Sequence, residues 1–194
     1  MGGRTRGPRP RRLGHLRPRL AAVALVAPLV FLYGFRLTYN STESLPIGIY
    51  QVRELRGAPA RGDVVGFCLE GEFARLAMNR GYVHREGLEL YVYGTRCASG
   101  AAVIGKPVAG LPGDTVEVRR SGVWINGVPV ANSQVIARDH ADREMPHPRW
   151  GRHVLARDEY WLQSTHSERS FDSRYYGPVR RSQILDRRTP LLVR

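Results

Sequence analysis

The chain has 194 residues, 42% of them apolar, and a formal net charge of +13 at pH 7. That length suits one compact domain with a sizeable core plus an extension, and it leaves little room for a second domain. The charge is concentrated: Arg4, Arg6, Arg9, Arg11, Arg12, Arg17 and Arg19 all precede Leu20, and no acidic residue occurs before Glu43. A basic arm suits nucleic acid or a membrane, and the neighbouring sequence decides between them. Residues 20–35 (LAAVALVAPLVFLYGF) carry no charge. Crossing a bilayer takes about 20 residues, so one transmembrane helix is expected over residues 20–39, with Arg36 reaching the interface. Arginines on its N-terminal flank predict a cytoplasmic arm over residues 1–19 and an exported domain over residues 40–194. Membrane lipid is then an expected partner, and nucleic acid is not. A cleavable secretory signal shares the basic start and the apolar length, but Leu32-Tyr33-Gly34-Phe35-Arg36 is a poor small-x-small cleavage site.

Beyond residue 40 the chain reads as short strands separated by Gly, Pro and Asp. Residues 48–52, 63–67, 88–93 and 115–118 are rich in Val, Ile, Tyr and Leu and have strand length. Val123-Trp124-Ile125-Asn126-Gly127-Val128-Pro129-Val130 joins two apolar runs by Asn-Gly, the signature of a type I′ hairpin. One helix is expected over residues 70–80, where Phe73, Leu76 and Ala77 recur at helical spacing and Gly81 can end it. Residues 131–158 are polar, charged and interrupted by Pro146 and Pro148, and read as an insertion between strands. Residues 160–163 and 181–185 return to strand-like composition. The expected fold is therefore mainly β, an all-β domain behind one N-terminal helix.

Cys68 and Cys97 are the only cysteines. In an exported domain they are expected to pair, a crosslink worth on the order of 3–4 kcal/mol by chain entropy. His140, His147 and His153 are widely spaced and form no ligand motif, so neither a metal nor another cofactor is expected.

Two stretches carry chemistry. Asn40-Ser41-Thr42-Glu43-Ser44-Leu45-Pro46-Ile47-Gly48-Ile49-Tyr50 sets hydroxyl and amide side chains before a proline turn; on composition alone it is a polar linker. The second contains Lys106, the sole lysine, while the other 29 basic positions are arginine. Arginine cannot lose its proton in a protein, whereas a buried lysine can become a neutral base. A lysine kept where arginine serves everywhere else marks the one position where that difference matters.

Three segments resemble, in order, the boxes of the type I signal peptidase family. Arg61-Gly62-Asp63-Val64-Val65-Gly66-Phe67 is similar to its Arg-Gly-Asp strand. The segment from Lys106 to Asp114, with Gly110-Leu111-Pro112-Gly113-Asp114, is similar to its lysine box. Ser170-Phe171-Asp172-Ser173-Arg174-Tyr175-Tyr176-Gly177-Pro178 is similar to its final box. The serine turn has one residue between Ser44 and Pro46, where the general family has two, and so resembles the conjugative-transfer, TraF-type branch. Pro107 departs from the family, which commonly has a basic residue after the lysine.

The resemblance implies a signal-peptidase-like fold and a serine endopeptidase with Ser44 as nucleophile and Lys106 as general base. It implies an oxyanion hole from the Ser44 N–H and the Thr42 hydroxyl, a lysine amine oriented by Ser170, and structural support from Asp172 and Arg174. The TraF-type branch implies a precursor-protein substrate, a conjugative pilin, whose own amine can resolve the acyl-enzyme into a cyclic product. A housekeeping signal peptidase shares the chemistry with broader substrates. A LexA-type self-cleaving protein would need a DNA-binding domain where the membrane span stands. A basic membrane-tethered adaptor explains the arginine arm but leaves the lone lysine and the three boxes without a reason.

Overall fold

The structure, a computed structural model, describes residues 34–85, 97–147 and 150–194. The chain divides into two units after Phe35, and the second, Arg36–Arg194, carries the fold described below. The expected strand over residues 88–93 and residues 20–33 of the expected span lie outside the described residues. Among those described, no helix is long and apolar enough to cross a membrane.

Seven strands form an antiparallel sheet in the order β1-β2-β11-β3-β4-β9-β10. β1 (Leu37–Asn40) and β2 (Gly48–Glu54) form a hairpin whose last pair is Asn40 with Gly48. β11 (Ile184–Val193) lies between β2 and β3 (Val64–Phe67). β4 (Ile104–Gly110) pairs with β3 on one side and with β9 (Glu159–Leu162) on the other, and β10 (Val179–Arg180) forms the far edge. A second sheet has the order β7-β6-β5-β8, from β5 (Thr115–Arg119), β6 (Gly122–Ile125), β7 (Val128–Pro129) and β8 (Gly151–Val154).

An antiparallel sheet with one covered face alternates inward apolar residues with outward polar ones. Val65 and Phe67 of β3, with Val108 of β4, point into a core shared with Leu162, Tyr175 and Ile184. Val116 and Val118 of β5 meet Val123, Ile125 and Trp161 in a second cluster. Asn126 and Gly127 have φ of 51° and 80°, so the β6–β7 link is the expected type I′ turn. Helix α1 (Gly71–Arg80) ends at Gly81, whose φ of 74° lets the chain close on the carbonyls of Ala77 and Met78.

Four expectations change. Leu37–Asn40, three residues of which were assigned to the end of the membrane span, is strand β1; Leu37 and Tyr39 pair with Gln51 and Ile49 instead of continuing a helix. A second short helix, α2 (Ser173–Tyr176), forms because the Asp172 carboxylate accepts the Arg174 N–H at its start. Residues 181–183 are a 3-10 turn, and the strand begins only at Ile184. Residues 131–158 contain β8, which pairs with β5, so part of this stretch belongs to the second sheet. Cys68 and Cys97 are joined by a disulfide across a sequence separation of 29.

Candidate active site

The turn from β1 to β2 carries Ser44, and side chains hold its backbone. Asn40 Nδ2 donates to the carbonyls of Thr42 (2.8 Å), Leu45 (3.0 Å) and Pro46 (3.2 Å), sharing its two hydrogens among three acceptors. Asn40 Oδ1 accepts from the Thr42 N–H and hydroxyl. The Tyr50 hydroxyl donates to the Pro46 carbonyl at 2.7 Å, and the buried Leu45 side chain anchors the turn. From a distant part of the chain, Ser164 Oγ donates to the Ser44 carbonyl at 2.7 Å. The Ser44 N–H and hydroxyl have no hydrogen-bond partner among the described residues.

Lys106 lies on β4, opposite Val65 of β3. The burial alternation of β4 points Lys106, Val108 and Gly110 inward, so the lysine occupies a position the sheet would ordinarily give to an apolar side chain. It is only 3% exposed. Desolvation is the main force on its amine and lowers its pKa from 10.5 to about 8; nearby Asp172 opposes the fall and Arg174 reinforces it. No ion-pair partner stands within 4.0 Å of the amine among the described residues.

Asp172 and Arg174 are both fully buried and form a two-pronged ion pair, Nε to Oδ1 at 2.8 Å and Nη2 to Oδ2 at 2.9 Å. Arg174 also donates to the carbonyls of Asn132, Gln134, Glu168 and Ser170. A buried charge is tolerable only when its donors and acceptors are filled in this way. The Asp172 carboxylate additionally receives the Ser164 N–H at 3.2 Å.

One cavity of about 420 Å³ is lined by Thr42, Ser44, Lys106 and Ser170 together, with Ser41 also on its wall. The Ser170 hydroxyl is buried and has no hydrogen-bond partner among the described residues. Thr42 reaches the same cavity, but its single hydroxyl proton is given to Asn40 at 2.9 Å. Among the described residues no hydrogen bond joins Ser44 to Lys106. Among the described residues no group of three or more His, Cys, Asp or Glu could hold a metal.

Other motif residues prove structural. Arg61 pairs with Asp114 at 2.6 Å, tying the Arg-Gly-Asp strand to the end of the lysine box, and Asp63 pairs with Arg187 at 2.7 Å. The contribution of Ser164 was not foreseen, because nothing local in Gln163-Ser164-Thr165-His166 marks a contact to Ser44, 120 residues away. Asn40 could have been read: an Asn just before a turn commonly bonds the backbone two residues on.

The family model described as signal peptidase, peptidase S26, matches residues 15–191. The chain belongs to this signal peptidase family. Its relatives include a plasmid transfer protein TraF of Escherichia coli, 33% identical over 174 residues, covering 88% of this chain and 90% of the relative. A conjugal transfer protein TraF of Agrobacterium tumefaciens is 37% identical over 160 residues, covering 81% and 82%. A signal peptidase I of Leptolyngbya laminosa is 32% identical over 82 residues, covering 42% of this chain and 37% of that one. These similarities place this family member in the TraF-type, conjugal-transfer branch, and the family makes it a peptidase with a protein substrate. Among solved structures, a signal peptidase I from Enterococcus faecalis aligns with 20% identity over 66% of this chain and 94% of that one, with a TM-score of 0.35.

Proposed function

We propose that this peptidase is a serine endopeptidase in which Ser44 is the nucleophile and Lys106 the general base. The observation that carries the reading is the sole lysine of the chain, buried at an inward strand position with its basicity lowered and lining the same cavity as Ser44. Neutral Lys106 takes the Ser44 hydroxyl proton as Oγ attacks the scissile carbonyl, and the ammonium then returns that proton to the leaving amine. An acyl-enzyme remains. The oxyanion is held by the Ser44 N–H, with Thr42 a second donor once its hydroxyl turns from Asn40. Ser170 supplies the hydroxyl that orients the lysine amine, and the Asp172–Arg174 pair braces the segment that presents it.

The substrate is an exported precursor, a conjugative pilin, in keeping with relatives named for plasmid and conjugal transfer. Water resolves the acyl-enzyme to a linear product; attack by the substrate's own N-terminal amine gives a cyclic one. The apolar segment before the domain anchors the enzyme in the inner membrane, with its arginine arm in the cytoplasm and the cavity outside. A reporter fused after Val193 should be active only if it works outside the cytoplasm; activity of a cytoplasm-only reporter there rejects this topology.

Mass spectrometry of candidate pilin precursors co-expressed with the full chain tests the chemistry. Cleavage is expected with wild type and with Ser41→Ala, and none with Ser44→Ala; a linear product is one water heavier than a cyclic one. Normal cleavage by folded Ser44→Ala removes Ser44 as nucleophile.

A further inference from the structure

Within that Ser44–Lys106 reading, we infer that Ser164 is a positioning residue for the nucleophile, locking the Ser44 turn to the segment that presents Ser170. Ser164 is 0% exposed and every capacity of its hydroxyl is used. It donates to the Ser44 carbonyl at 2.7 Å and accepts from the N–H groups of His166 (3.0 Å) and Ser167 (3.3 Å). One side chain therefore shapes the start of the loop leading to Ser170 and grips the peptide unit of Ser44.

The neighbouring bonds give this contact its direction. The Ser164 N–H donates to Asp172, whose carboxylate is fixed by buried Arg174, and Arg174 donates to the Ser170 carbonyl. A rigid, buried network thus ends in a single hydroxyl that reaches the half-exposed serine turn. On its other side the turn is held by Asn40, its neighbour in β1, which fixes the carbonyls of Leu45 and Pro46 but not that of Ser44. Among the described residues only Ser164 bonds the Ser44 carbonyl, and together with buried Leu45 it sets the height and tilt of the Ser44 peptide relative to β4 and Lys106. Losing it frees Ser44 to move by a fraction of an ångström to an ångström, which reduces transition-state alignment more than substrate binding.

Ser164→Ala removes the hydroxyl but retains the N–H to Asp172, so the surroundings of Lys106 are preserved. The assay uses the full chain in detergent and an internally quenched peptide spanning the cleavage site that mass spectrometry maps in the pilin precursor. The expected result is a fall in kcat of about 10–100-fold with KM within about twofold of wild type. The pH at which the rate begins to level off should stay where it is in wild type. Ser164→Thr, which restores the hydroxyl, should recover most of the rate. If Ser164→Ala melts at too low a temperature to assay, Ser164→Cys, of similar volume and with a weaker donor, carries the same expectation. Folded Ser164→Ala or Ser164→Cys with wild-type kcat overturns the inference, as does a shift of the pH profile, which would mean a general disturbance of the lysine pocket. Absence of cleavage by wild type, or full activity of Ser44→Ala, would instead count against the Ser44–Lys106 reading itself.

Discussion

The two halves of the site are built in opposite ways. Ser44 stands on a turn with no regular structure, half-exposed, its carbonyls gathered by Asn40, Tyr50 and Ser164. Lys106 stands in mid-strand between β3 and β9, 3% exposed, with the buried Asp172–Arg174 pair nearby. The difference fits what the proposed mechanism asks of each group. A nucleophile has to meet a polypeptide coming from solvent, whereas an amine must be dried to lose its proton near neutral pH. Side-chain tethers suit the first, and a sheet core suits the second.

The comparison breaks most visibly through the proposed nucleophile: Ser44→Ala should abolish precursor cleavage and leave thermal stability near wild type, measured together on one preparation. On the buried side the effects move to stability. Asp172→Ala strands the Arg174 guanidinium in the interior, and a loss of about 3–5 kcal/mol is expected in denaturant unfolding. Replacing Cys68 and Cys97 together by serine should cost about 3–4 kcal/mol, and both thiols of the wild type should resist alkylation until reduced.

Lys106→Met sharpens the contrast, because here stability and activity should move apart. The folded state lowers the amine's pKa from 10.5 to about 8, so between those values the unfolded chain binds more protons and stability rises with pH. Below about pH 8 the folded protein carries the full cost of the buried ammonium. Lys106→Met should therefore be more stable than wild type at pH 7, by at most roughly 3 kcal/mol, and inactive. The smallest effect is expected on the exposed side. Asn40→Ala removes the gathering of three carbonyls, slowing cleavage with a stability loss of about 1 kcal/mol.

Much of this architecture was legible in the sequence where local chemistry is strong. Asn126-Gly127 fixed a hairpin, Gly81 ended a helix, and arginine at every other basic position singled out Lys106. Strands escaped notice where their residues violate strand propensity. β4 contains Gly105, Lys106 and Pro107, and β11 beyond Leu185 contains Arg187, Arg188 and Pro190; both are held by neighbours on two sides, which no local pattern records. β1 was misread because Leu37 and Tyr39 continue an apolar run, and only pairing with β2 makes them a strand. Ser164 was invisible for the same reason at longer range.

The most direct test of a dry lysine serving a wet serine is the pH dependence of kcat/KM for wild-type enzyme on a cleavable peptide. If Lys106 must be neutral, the rate should rise about tenfold per pH unit on the acid side and level off near pH 8, where the buried amine gives up its proton. A flat profile from about pH 6 to 9 would contradict it.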